Sequence, residues 1–184
     1  MKSIYLLQRL PNRQAILQVY AVIAVMFSAW TITAFLWKLS AWLLVLNIGE
    51  IFTVFSYSMV ANLVESLIVL SLLLVICALL PASVLRDDFV VRGTILSLGL
   101  IGSLMAFVKF DMEFGFSSGL KLLRGPLSVL LLMIILLVLP ERLRLARFLH
   151  SAIRWISDRM IVFLYILMPL FIVVLTYVII RNIV

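Results

Sequence analysis

The stretch that decides the fold is "IFTVFSYSMVANLVESLIVLSLLLVICALL", residues 51–80, in which Glu65 is the single charged residue. An α-helix needs about 20 mostly apolar residues to cross the roughly 30 Å hydrocarbon core of a bilayer. Inside that core every backbone N–H and C=O group needs a partner within the protein, and a helix supplies these partners within one segment. Residues 51–80 therefore predict a transmembrane helix.

The rest of the chain has the same character. Of its 184 residues, 66% are hydrophobic and 12% are charged, whereas about a quarter are charged in soluble domains. Further apolar blocks of about 20 residues cover 15–37, 89–110 and 160–180. The predicted fold class is all-α: a polytopic integral membrane protein with about five transmembrane helices, forming one domain over residues 1–184.

The weakest predicted span is "PLSVLLLMIILLVLP", residues 126–140, because it offers only 15 residues between Arg124 and Arg142. A segment this short either crosses a locally thinned bilayer or re-enters the membrane without crossing it. The two alternatives place the C-terminus on different sides. Five crossings are favoured over four crossings with a re-entrant segment.

The distribution of Lys and Arg predicts the orientation, because cytoplasmic segments carry an excess of these residues. With five spans and the N-terminus inside, the outer segments hold only Lys38, Lys109, Lys121, Arg124 and Arg181. The inner segments hold the other ten of the fifteen basic residues, which are Lys2, Arg9, Arg13, Arg86, Arg92, Arg142, Arg144, Arg147, Arg154 and Arg159. We therefore expect a cytoplasmic N-terminus in a bacterial-type cytoplasmic membrane.

Two connecting segments are predicted to lie in the membrane interface. Residues 39–50, "LSAWLLVLNIGE", are apolar and contain a tryptophan, as interfacial segments often do. Residues 141–159, "ERLRLARFLHSAIRWISDR", have apolar positions at helical spacing and arginines on other faces, which is typical of a helix lying among anionic headgroups. The candidate headgroup contacts are Arg142, Arg144, Arg147 and Arg154. In the alternative interpretation this basic segment only anchors the inner boundary.

A polar stripe marks the second span. Ser58, Asn62, Glu65 and Ser66 fall on one face of a helix. An ionised Glu facing lipid would cost several kcal/mol, so the stripe should face the bundle, another subunit or water. Lys38 and Lys109 end the first and third spans on the side where the second begins, which makes them candidate charge partners for Glu65.

Small residues predict where helices pack closely, because they let two backbones approach. Gly99, Gly102, Ser103 and Ala106 share a face of the third span, and Ala21, Ala24 and Ser28 share a face of the first. Pro169 lies inside the last span and predicts a kink, since proline removes a backbone hydrogen bond and crowds the preceding turn.

Enzymatic motifs are not evident in the sequence. Cys77 is the only cysteine and His150 the only histidine, so a thiolate metal cluster and a bis-histidine haem are excluded within this chain. Asp87 and Asp88 are better explained as a helix N-cap than as a metal site. No metal is predicted and no cofactor is identified. The net charge of +7 is spread along membrane boundaries, which favours anionic lipid over nucleic acid as a partner.

Three functions are compatible with this pattern. The first is a non-enzymatic membrane subunit that packs against or stabilises a larger membrane complex, with other membrane subunits as partners. The alternative is a small oligomeric transporter or channel with Glu65 on an ion or proton path. A weaker alternative is the binding of lipid or pigment. The test that separates the first two is whether the face carrying Glu65 borders water or is covered by another helix.

Overall fold

The computed structural model describes residues 11–79, 88–114, 127–129, 131 and 144–183, and 94% of these residues are helical, with no strand among them. The four long helices are α1 (Arg13–Trp42), α2 (Ile48–Leu79), α3 (Phe89–Phe114) and α4 (Arg144–Ile183). Each contains a stretch that is long and apolar enough to cross a membrane. The predicted all-α membrane fold class is therefore confirmed.

Helix α1 lies at the centre of the bundle and contacts α2, α3 and α4. It runs antiparallel to α2, with the rings of Phe35 and Phe55 5.1 Å apart near one end and Ser28 bonded to Asn62 near the middle. We call the end where α1 begins the lower end and the other the upper end. Helix α4 is parallel to α1, because Gln18 bonds Asp158 towards the lower end while residues beyond Phe171 reach the upper end.

A capping box fixes the start of α2. The Asn47 side chain accepts a hydrogen bond from the Glu50 backbone N–H, and the Glu50 carboxylate accepts one from the Asn47 backbone N–H, both at 2.9 Å. These two bonds satisfy N–H groups that have no partner in the first turn of a helix. The segment 39–50 was predicted to lie along the interface, and this location stays a prediction. Helix α1 continues to Trp42 and α2 begins directly after Asn47, so the segment contains the ends of both helices.

Helix α4 is one continuous helix of 40 residues, about 60 Å long at 1.5 Å per residue. The structure differs here from the sequence-based division into an interfacial segment ending at residue 159 and a span beginning at 160. Residues 144–168 contain neither glycine nor proline, so nothing in the sequence interrupts the helix before Pro169. The helix also continues through Pro169, which is exposed.

Helices α3 and α4 run in the same direction, because Asp88 bonds Arg154 and, further up, Thr94 bonds Ser157. The chain therefore leaves α3 at the upper end and enters α4 at the lower end. The fourth predicted span, residues 126–140, lies outside the described residues except for 127–129 and 131, which are helical. The methyl carbon Cγ1 of Val129 is 3.5 Å from where a Cβ on Gly102 of α3 would lie.

The parallel arrangement of α1 and α4 predicts that Asn12 and Ile183 lie on opposite sides of the membrane. We expect single cysteines at these two positions, each in a Cys77→Ala background, to react with a membrane-impermeant maleimide from opposite sides of sealed vesicles. Cys77 is buried, so its replacement leaves the exposed surface unchanged. Labelling of both cysteines from the same side would contradict the arrangement of these helices.

Candidate docking groove around Glu65

Glu65 lies near the middle of α2 and is the only charged residue in the central parts of the four helices. Residues 14–37, 51–79, 93–108 and 160–180 contain no other Asp, Glu, Lys or Arg. The basic residues that bound these stretches lie towards the lower end (Arg13, Arg92 and Arg159) or the upper end (Lys38, Lys109 and Arg181). Glu65 therefore carries the only formal charge in these four stretches.

The side chain of Glu65 faces an open groove of about 500 Å³ between α2 and α3, with α1 as its floor. We call this the Glu65 groove. Apart from Glu65 and Thr31, its walls are apolar or aromatic. On α1 they include Phe27 and Trp30, and on α3 they include Ile101, Leu104 and Val108. Glu65 is exposed, as are Trp30, Leu104 and Val108, so the groove opens to the outside of the bundle.

Within the described part of the chain, the Glu65 carboxylate has neither a hydrogen bond nor an ion pair. The two ion pairs among these residues both belong to Asp88. Lys38, a candidate partner, is exposed near the upper end of α1 and does not contact Glu65. The side chain of Lys109, the other candidate, lies outside the described structure. An apolar groove thus holds a carboxylate that has no partner among the described residues.

The polar stripe predicted on α2 divides between the interior and the groove. Asn62 and Ser66 are buried, Ser58 is half-buried, and Glu65 alone is exposed. The Asn62 amide donates to Ser28 Oγ on α1 at 3.1 Å, while Asn62 Oδ1 is buried without a hydrogen-bond partner. Ser58 and Ser66 donate to backbone carbonyls of their own helix. Asn62 therefore joins α1 to α2, whereas Glu65 makes no such link.

The small residues predicted for close packing lie mostly in the interior. Ala21 and Ala24 are fully buried in a cluster with Leu164 of α4, and Ser28 is buried beside Asn62. On α3, Gly99 and Ser103 are buried, whereas Gly102 and Ala106 are half-buried. Each of these residues leaves space for a neighbouring backbone or side chain.

Sequence reasoning missed Gly93, where α1, α2 and α3 come together. A Cβ at this position would lie 3.4 Å from Leu73 Cδ2 and 3.4 Å from Val19 Cγ2. The signal was present, because Gly93 and Ser97 have the same four-residue spacing of small residues as Gly99 and Ser103. The contact explains why α2 and α3 meet near the lower end before separating around the groove.

A polar cluster at the lower end joins α3 and α4. Arg154 donates to Asp88 Oδ1 at 2.9 Å, and His150 Nδ1 lies 3.5 Å from Asp88 Oδ2. Above them, Thr94 and Ser157 are buried and hydrogen-bonded at 3.2 Å. Arg154 was predicted to contact lipid headgroups, and here its guanidinium contacts Asp88 while remaining 61% exposed. Arg142 and the side chains of Arg144 and Arg147 lie outside the described structure.

Asp88→Asn is expected to lower the free energy of unfolding by about 1 kcal/mol, because it removes the charge that pairs with Arg154 and His150 at a partly exposed site. The measurement is denaturant unfolding in detergent micelles. Asp158→Asn is the matched control, because asparagine can still accept the hydrogen bond from Gln18 that Asp158 accepts. Equal destabilisation by the two substitutions would contradict a specific role for Asp88.

At the upper end, a second polar cluster joins α2 to α4. Thr53 is hydrogen-bonded to the Tyr177 hydroxyl at 3.0 Å, and the Tyr57 hydroxyl donates to Asn182 at 3.1 Å. Arg181 donates to both Tyr177 and Thr53. This cluster could not be identified from the sequence, because the residues that it pairs across α2 and α4 lie more than 120 positions apart and share no motif.

Among the described residues, no three His, Cys, Asp or Glu side chains lie close enough to hold a metal ion. Comparisons of the chain with protein-family models, curated proteins and solved structures find no match. The interpretation of the Glu65 groove therefore depends on its geometry and chemistry.

Proposed function

We propose that this protein is a non-enzymatic, multi-pass subunit of a larger membrane protein complex. The observation that carries the proposal is the exposed Glu65 carboxylate, which lies near the middle of the apolar helix α2 without a partner among the described residues. Leaving such a group against lipid costs several kcal/mol, whereas a neighbouring protein helix can supply a hydrogen-bond donor. Another polypeptide that covers the Glu65 groove removes this cost.

The low share of buried residues in the helices supports the same proposal. In the most apolar 18-residue stretch of each helix, between 22% and 50% of the residues are buried inside the bundle, with α4 the least buried. Large apolar residues are exposed along α2 and α4, which leaves broad surfaces for lipid or for other helices. A subunit that assembles with other membrane proteins needs such surfaces.

The transporter alternative has less support from the described residues. A proton or ion path needs a series of polar groups that connects the two sides of the membrane. Here Ser58 and Ser66 bond to their own helix, Asn62 is buried beside Ser28, and Glu65 faces an apolar groove. Lipid binding is also less favoured, because an acyl chain that fills the groove leaves the Glu65 carboxylate without a donor.

We further propose that the lower end is cytoplasmic and interacts with anionic lipid. Arg13, Arg154 and Arg159 are exposed there, and the backbone positions of Arg144 and Arg147 begin α4 at the same end. The corresponding basic residues at the upper end are Lys38, Lys109 and Arg181. An excess of Arg and Lys on one side is typical of the cytoplasmic side, and these residues attract anionic headgroups.

Gentle extraction from the native membrane followed by native mass spectrometry tests the subunit proposal. We expect the chain to appear in fixed stoichiometry with at least one other polypeptide. Detection of the chain alone, or only as a homo-oligomer, would overturn the proposal. Measurement of ion flux in Glu65 variants reconstituted in vesicles would then test the transporter alternative.

A further inference from the structure

We infer that the Glu65 groove binds a transmembrane helix of a different polypeptide, and that this helix presents a Lys or Arg side chain to Glu65 in the middle of the membrane. The inference rests on the subunit function proposed above and specifies the chemistry of the partner. It follows from the hydrogen-bonding character of the groove, its depth in the membrane, and the charges that this chain provides.

The main polar group of the groove is an acceptor without a donor. The Glu65 carboxylate is unpaired among the described residues, whereas Asn62, one helical turn away, belongs to the buried contact with α1. Thr31 contributes one hydroxyl to the groove wall. Lysine offers three N–H donors and arginine offers five, and neither side chain has an acceptor. A basic side chain therefore complements this site in both charge and hydrogen bonding.

The depth of Glu65 in the membrane indicates whether the hydrogen-bond donor comes from a transmembrane helix or from a lipid headgroup. Glu65 lies near the middle of α2, at the same level as Phe27 of α1 and Ile101 of α3, which also line the groove. The middle of the hydrocarbon core is about 15 Å from either interface, given a core thickness of roughly 30 Å. The amine of a phospholipid headgroup stays at the interface, so the donor at this depth comes from protein.

A second copy of this chain does not supply the required cation from the central parts of its described helices. Residues 14–37, 51–79, 93–108 and 160–180 contain no Lys or Arg. Arg159, the nearest basic residue below this region on α4, lies close to the level of Gln18, because the adjacent Asp158 bonds Gln18. That level is about two and a half helical turns below Phe27 on α1, or about 13.5 Å at 1.5 Å per residue. These observations favour a different polypeptide.

The shape of the groove fits the side of a helix. Its walls come from two helices, α2 and α3, and its floor is formed by Phe27 and Trp30 of α1. Trp30 is 41% exposed and Leu104 is 50% exposed, so both are free to pack against an incoming apolar surface. Aromatic anchors around a desolvated polar contact are typical of the centre of protein interfaces.

The test uses synthetic transmembrane peptides as probes. Helical Leu/Ala peptides of about 21 residues carry Lys, Leu or Asn at the central position and a fluorophore at one end. Energy transfer to the purified, labelled chain is measured in liposomes of neutral lipid. We expect the Lys peptide to bind wild-type chain at least tenfold more tightly than the Leu peptide, and we expect Glu65→Gln to abolish this difference.

Two controls make the test specific. Glu50→Gln is the same chemical change at the upper end of α2, where glutamine can still accept the capping hydrogen bond of Asn47, and it should leave the preference for Lys unchanged. Glu65→Lys should reverse the preference, so that a peptide with a central Glu binds best. Reversal by a charge swap would not occur if Glu65 had only a structural role.

The inference is overturned if the Lys and Leu peptides bind wild-type chain equally, or if the Asn peptide binds as tightly as the Lys peptide. Native mass spectrometry distinguishes the two proposals. If either peptide result occurs and the chain still forms a complex of fixed stoichiometry, the basic partner helix is rejected and the subunit function remains supported. The absence of any such complex would reject the subunit function itself.

Discussion

Replacing Glu65 by glutamine is expected to reduce the amount of assembled complex at least tenfold, while leaving the chain folded and inserted. Glutamine retains the size of the side chain and one acceptor but removes the charge. Breaking one side of a desolvated charge pair costs about 2–5 kcal/mol, because the other charge remains buried without its partner. The measurement is quantitative co-purification of the partner from membranes that contain equal amounts of each variant.

Glu50→Gln provides the matched control for this experiment, because it makes the same substitution on the same helix outside the membrane centre. We expect full assembly of this variant. Equal amounts of complex with Gln and Glu at position 65 would show that the carboxylate does not hold the assembly together. Loss of the chain from the membrane in the Glu65→Gln variant would instead place Glu65 among the residues required for folding, contrary to its exposed position.

Ala24→Phe is expected to have the largest effect on the stability of the chain itself. Ala24 is 0% exposed and packs in the cluster that joins α1 to Leu164 of α4. A phenyl ring does not fit there unless the two helices separate. Overpacking of this kind costs about 1–3 kcal/mol, and we expect the upper part of that range because α1 contacts all three other helices. Thermal unfolding in detergent measures the effect.

Ala29→Phe is the corresponding control, because it introduces the same ring on the same helix at an exposed position. We expect its effect on the unfolding midpoint to be small, since the ring faces outward and leaves the contact with α4 intact. If the two substitutions shifted the midpoint equally, the packing of α1 against α4 through Ala24 would be contradicted.

The fold class could be predicted from the sequence because the properties of a membrane helix are contained in a short, continuous segment. Each span must be long, apolar and internally hydrogen-bonded, and these properties can be read from a window of about 20 residues. The predicted span 15–37 lies within α1, and 89–110 lies within α3. The burial of Ala21, Ala24 and Ser28 follows from the same logic, because small residues at helical spacing allow close approach.

Other features required knowledge of which helices are neighbours. The direction of α4 relative to α3, and hence the contact of Arg154 with Asp88, depends on tertiary packing rather than on any local pattern. The same is true of the contact between Thr53 and Tyr177. Residues 141–159 were predicted to lie in the interface because their arginines resemble a headgroup-binding face, and this location stays a prediction. The structure shows that residues 144–159 continue into the last span as one helix, which the absence of a helix breaker already favoured.

The candidate site was found in part from the sequence. A lone carboxylate in an apolar span identified Glu65, and periodicity placed it beside Asn62 and Ser66. Periodicity alone could not separate the buried side of this stripe from the exposed side, because Glu65 is only about 60° away from Asn62 around the helix axis at 100° per residue. The separation of α2 from α3 above Gly93 decides which of these side chains reaches the groove.

Photo-crosslinking from the groove in the native membrane tests the central claim most directly. A photoreactive residue replaces Leu104 in the groove wall, and a second variant carries it at Ile172, an exposed position on α4. We predict that the Leu104 probe forms an adduct with one other polypeptide, that the crosslinked peptide contains Lys or Arg within an apolar stretch of about 20 residues, and that Glu65→Gln abolishes the adduct. If the Leu104 probe formed adducts with lipid alone, as a probe at a lipid-facing position does, the claim that a partner helix occupies the groove would be contradicted.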